Sequence, residues 1–136
     1  MDKNLPASLA AAIEFMGKLL ISALFWWDGV LQGLMTWPDV VDYVAARGLP
    51  MPLAVGAAAT AFQILAPIGL FNRAIEPWAA LALAGYCLLT AAVFHDFWAF
   101  VGDDRIMAEI QFLKNMAIAG ALLVIFARTC ANLKPR

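Results

Sequence analysis

Four apolar stretches, at about 9–35, 52–71, 77–94 and 110–127, occupy most of this 136-residue chain, and each is long enough to cross a bilayer. In hydrocarbon every backbone N–H and C=O must be paired within its own segment, so all four are expected to be α-helices. The balance of residue types agrees. With 64% hydrophobic and 14% charged residues and a mean hydropathy of +0.80, the chain has too few Asp, Glu, Lys and Arg to clothe a water-soluble globule of its size. The expected architecture is an all-α integral membrane four-helix bundle, a single domain over residues 1–136.

The polar punctuation between the stretches predicts their connections. Pro50 and Pro52 precede the second span, while Asn72, Arg73, Glu76 and Pro77 make a tight link to the third, which implies an antiparallel hairpin. Pro67 lies inside the second span and should kink it, with neighbouring helices covering the carbonyl it frees. Between the first two spans, Thr36 and Pro38 mark the start of a short helix ending near Gly48. Its Val40, Val41 and Val44 share one side, so it is expected to lie along the membrane surface.

Lys3 followed by an apolar run imitates a secretory signal, but Glu14 and Lys18 fall where such a signal is uncharged, so the first helix is read as retained. Placing both termini in the cytoplasm collects Lys3, Arg73, Arg128, Lys134 and Arg136 there and leaves Arg47 and Arg105 outside. Trp37 and Trp98 then sit at the outer boundary and Trp78 at the inner one.

Several function classes are excluded. A net charge of −1 offers no basic surface for nucleic acid. Cys87 and Cys130 have no CxxC or Cys/His spacing and read as small apolar residues, and a single histidine makes no metal site. The sequence also lacks a haem ligand pair and any flavin or nucleotide fingerprint.

The first helix nevertheless carries a polar stripe. At 100° per residue, Glu14, Lys18, Asp28 and Gln32 fall within an arc of about 80°, which should face the bundle interior because charge at mid-membrane is costly. Glu14 and Lys18 are one turn apart and form an expected inner-half ion pair. Asp28 lies about 15 Å from Lys18 along the axis and needs a different partner. Antiparallel packing brings Lys114, beside Gln111 and Asn115, to its depth, with His95 closing the third span nearby. The expected outer-half cluster is therefore Asp28, Gln32, His95, Lys114 and Asn115. It reads either as a pocket for a small polar or quinone-like head group, with His95 exchanging a proton near neutral pH, or as ion pairs and hydrogen bonds that hold the helices in register.

These residues also carry a family resemblance. Gly17-Lys18, Phe25, Asp28-Gly29, Gly48-Leu49-Pro50, Gly69 with Arg73, His95-Asp96-Phe97-Trp98 and Phe112-Leu113-Lys114-Asn115 resemble, in order and spacing over about residues 15–127, the DoxX-like membrane proteins. The resemblance implies a four-helix bundle in a bacterial inner membrane, in a family linked to quinone-coupled thiosulfate oxidation, thiol redox complexes and oxidative-stress defence. The chain departs from the family pattern at Lys18, where Arg is usual, and at Asp28 and Gln32, where Ser and Lys are usual. Ala59 replaces a common Glu, and Phe62 and Gln63 replace glycines.

Two readings of function follow. One is a quinone- or thiol-linked redox-associated component with no redox centre of its own, holding a quinone or lipid and relying on a partner subunit. The other is a non-catalytic accessory subunit of a larger membrane complex, using its Trp-rich and Phe-rich outer face as the contact.

Overall fold

The computed structural model describes residues 5–132. Lys3, Lys134 and Arg136, which enter the orientation reading, lie outside them. Helix α1 spans Ala7–Trp27 and continues as a π-helical segment, Asp28–Leu34. Next come α2 (Trp37–Ala46), α3 (Pro52–Leu65) with a 3-10 turn at Ala66–Phe71, α4 (Glu76–Phe94), a second 3-10 turn at Phe97–Ala99, and α5 (Gly102–Asn132). Four helical stretches are long and apolar enough to cross a membrane: Ala7–Leu34, Pro52–Phe71, Glu76–Ala99 and Gly102–Ala131.

The first span does not keep α-geometry to its end. At its last turn Met35 N–H donates to Val30 O at 3.1 Å, five residues back, the widened ladder of a π-helix. Gly29 and Gly33, weak helix formers, let α3 press against this segment. A Cβ on Gly29 would lie 2.9 Å from Ile64 Cγ1, and one on Gly33 only 2.6 Å from Thr60 Cγ2. Thr36 occupies the position before α2, as expected, but its hydroxyl does not cap that helix. It donates to Gln32 O at 2.7 Å and so finishes the preceding one.

Pro67 changes the helix type of the second span instead of leaving it α-helical throughout. Having no N–H, it turns the end of the second span into 3-10 geometry, and the Trp26 indole N–H of α1 donates to Ile64 O at 3.0 Å, covering a carbonyl in the last turn of α3. Asn72 then makes the tight link: its Oδ1 accepts from Ala74 N–H at 3.0 Å and its carbonyl from Glu76 N–H at 2.8 Å, starting α4 antiparallel to α3. Helix α5 starts eight residues before the expected position 110, at Gly102. Hydropathy finds only the part that suits lipid, whereas Asp103 and Asp104 favour a helix start by complementing its dipole.

Helices α4 and α5 pack along their length. Ala80, Leu83, Ala84 and Cys87 of α4 join Ala119 and Leu122 of α5 in one buried cluster, completed by Phe25 and Leu70. Small side chains, Ala80, Ala84, Cys87 and Ala119, alternate there with Phe and Leu, and lipid is as apolar as the core. Close van der Waals approach, rather than expulsion from water, therefore holds the pair together. Helix α1 packs through its π segment on α3, and the two helix pairs meet most closely where the 3-10 turn Ala66–Phe71 lies against α4. That end also bears the first turns of α1 and the last of α5 and is called the terminal face below; the opposite end is the α2 face.

Candidate functional site

Toward the α2 face, the two helix pairs enclose a cavity of about 470 Å³, within the roughly 300–1,000 Å³ common for small-molecule pockets. All five helices contribute to its wall. The first span supplies Phe25, Asp28 and Gln32, α2 supplies Tyr43 and Val44, α3 Thr60 and Gln63, α4 Tyr86 and Thr90 with His95 just past its end, and α5 Gln111, Lys114 and Asn115. The five residues expected to cluster thus line one space. Asp28, His95 and Asn115 are half-buried, while Gln32 and Lys114 are exposed at the rim.

Proximity has not become pairing. Among the described residues the ion pairs are Lys18 with Glu14 and Glu76, Arg47 with Asp96, and Arg128 with Glu14. Asp28 and Lys114 are absent from that set, and Asn115 spends its amide N–H on Gln111 O one turn back, at 3.0 Å. An acid, an imidazole and an ammonium therefore line the same volume without pairing to one another. Phe25 and Tyr86 (ring centroids 6.4 Å apart), with Phe62 against Tyr86 at 5.1 Å, pack beside it as an aromatic wall. Chemically, the site offers a carboxyl and an imidazole for proton exchange and a cation for a partial negative charge.

The α2 wall is held by contacts that sequence spacing did not reveal. Arg47 donates from Nη1 to Asp96 Oδ1 at 2.5 Å and from Nη2 to Phe94 O at 2.7 Å. Tyr43 stacks on Phe94 with ring centroids 5.2 Å apart, and the guanidinium lies 5.9 Å from the Tyr43 ring and 5.3 Å from the Phe100 ring. Burial acts to lower the Arg47 pKa, but the hydrogen bond and charge of Asp96 outweigh it and hold the guanidinium above its ordinary value. Val40 and Val44 turn in toward the bundle. Val44 is buried, and Val40 Cγ1 lies 3.2 Å from where a Cβ on Gly56 would sit. An Arg and an Asp 49 residues apart in two polar loops give no local signal; only their shared side of the four spans hints at the contact.

At the terminal face, Lys18 Nζ lies 2.7 Å from Glu14 Oε1 and equally 2.7 Å from Glu76 Oε1. Glu76 also accepts from the Thr129 hydroxyl at 3.2 Å, and Arg128 pairs with Glu14, so α1, α4 and α5 share one charge network. Glu76, read from sequence as part of the polar link, is buried at 5% exposure as the first residue of α4. The available signal was its place just before Pro77, where an acid suits a helix start.

Residues 15–96 match the DoxX family. The chain is also 33% identical over 96 residues to Inner membrane protein YphA of Escherichia coli (strain K12), a match spanning 68% of this chain and 66%, just under two thirds, of that relative. No solved structure matches it. With four helices of bilayer-crossing length, the family match over most of them and an inner membrane relative, the chain belongs to the DoxX family and is a multi-pass inner membrane protein.

Proposed function

We propose that the cavity binds a small amphipathic molecule with a quinone-like head group, and that the protein is a redox-associated component whose electron-transferring centre resides in a partner subunit. One observation carries this reading: Asp28, His95 and Lys114 line a membrane-embedded cavity of about 470 Å³ without pairing to one another. Polar groups at such depth need hydrogen-bonding company, and a ring bearing oxygens supplies it. In this role Lys114 and the amides of Gln32 and Asn115 orient the head group. Asp28 and His95 exchange protons with it, and Phe25 and Tyr86 pack on its ring. A lipid head group of similar polarity would use the same contacts.

The test is purification in mild detergent, with mass spectrometry of the co-purifying lipids, quinones and proteins. The expected result is near-stoichiometric quinone that falls by about tenfold or more in Asp28→Asn and His95→Ala, the scale set by losing one charge-assisted hydrogen bond. A preparation containing a stable partner complex, no quinone and no response to either substitution would replace this reading with that of an accessory subunit. That second reading is favoured by Trp98, which is 62% exposed beside Phe97 and Phe112 on the α2 face.

A further inference from the structure

We propose that the two helix pairs form a hinged clamp around the cavity and that Arg47 is the clasp that sets how far it opens. The proposal rests on the cavity being a binding site but not on which molecule it binds. The pairs are joined at the terminal face and, above it, by Phe25 and Phe62 packed into the α4–α5 core. At the terminal face the 3-10 turn Ala66–Phe71 packs on α4, and Lys18 bridges α1 to Glu76. Phe25 and Phe62 against Tyr86 fill the middle level. Toward the α2 face the cavity itself separates the pairs, and the link across it runs from α2 to the end of α4. It consists of Arg47 on Asp96 and on the Phe94 carbonyl, with Tyr43 stacked on Phe94.

Helix α2 carries the clasp at Arg47, just past its last turn. It leads into α3 through Gly48, at φ 69°, and Met51, at φ 52°, a left-handed conformation that a non-glycine residue rarely adopts. Its Asp39, Val40, Tyr43 and Val44 line the cavity, so any swing of α2 about that connection changes the width of the mouth. The clasp is polar and only half-buried, with the Arg47 and Asp96 side chains 19% and 24% exposed, so water can replace its hydrogen bonds when it parts. The terminal ion pair, at 10% and 6%, has no such access and serves as the hinge.

The test places a reporter thiol in the cavity by Thr90→Cys, in a Cys130→Ala chain reconstituted without quinone. Buried Cys87 is retained as a marker of the intact core. A water-soluble maleimide should label position 90 about tenfold faster in Arg47→Ala and about threefold faster in the milder Asp96→Asn, with Cys87 unlabelled, because a looser clasp raises the population of the open state. Unchanged labelling of position 90 in both variants would overturn the clamp. Labelling of Cys87 in both would do the same, making the contact part of the fold rather than a gate. Because no quinone is present, either failure leaves the ligand reading untouched, and absence of co-purifying quinone leaves the clamp standing.

Discussion

Replacing Glu76 with alanine will destabilise the protein by about 3–5 kcal/mol, the usual cost of removing one partner from a buried ion pair. The size comes from what remains. Lys18 is 9% exposed and would keep only Glu14, whose carboxylate is already shared with Arg128, while the Thr129 hydroxyl would lose its acceptor on α4. Glu76→Gln keeps an acceptor oxygen at nearly the same place and should cost less than Glu76→Ala. Arg128→Ala removes a half-exposed charge and should cost less than about 1 kcal/mol, since water screens it. Thermal unfolding in detergent, followed by tryptophan fluorescence, gives all three values. Equal melting of Glu76→Ala and the parent chain would mean that this network does not join the helices.

The second large effect is expected at Gly33. Elsewhere in a helix, glycine to alanine stabilises by about 0.5–1 kcal/mol, because the glycine backbone loses more freedom on folding. At Gly33 the sign reverses. The added Cβ would lie 2.6 Å from Thr60 Cγ2 and 2.8 Å from Thr60 Oγ1, so the π segment and α3 must separate. Such overpacking costs about 1–3 kcal/mol. Thr60→Ala removes both atoms and leaves Thr60 Cβ at 3.2 Å, so Gly33→Ala should become nearly neutral in that background. Gly120→Ala on α5, where nothing lies within 4 Å of the new Cβ, is the control and should stabilise slightly. A full penalty for Gly33→Ala in the Thr60→Ala chain would place the strain somewhere other than this contact.

Both predictions concern features that the sequence announces unequally. The polar stripe was legible because helical periodicity is a local property: Glu14, Lys18, Asp28 and Gln32 recur at intervals that return to one face. Depth matching of antiparallel spans then brought His95, Lys114 and Asn115 to the level of Asp28, and these residues line the cavity wall. Thr60, Gln63 and Tyr86 in that wall were not anticipated, because they sit in apolar runs whose rotation about the helix axis is set by packing. Whether cavity residues pair directly was also beyond local reading. The helix pairs diverge toward the α2 face, and side chains at matched depth then need not touch.

The departures from expected geometry have a common origin. Sequence predicted one regular helix through residue 35, yet the ladder widens at Asp28 where two glycines admit α3, a contact between residues about 30 positions apart. Glu76 was read only as part of the polar link to the third span, yet it is buried because Lys18 and Thr129 arrive from two other helices. Arg47 was read as an isolated outer-loop charge, and it is the turn of α2 back over the bundle that joins it to Asp96.

The amino-acid sequence by itself determined that the chain crosses the membrane as four helices, where the short connections fall and which face of the first helix is polar. Bilayer thickness, backbone hydrogen bonding and a 3.6-residue turn act on each segment separately and leave little choice. Only the tertiary structure decided that Asp28, His95 and Lys114 line a cavity instead of neutralising one another, and that Glu76 ties the helices at the terminal face and Arg47 at the α2 face. Those outcomes depend on the spacing and rotation of whole helices, which small residues such as Gly29, Gly33 and Ala84 set through contacts between distant parts of the chain.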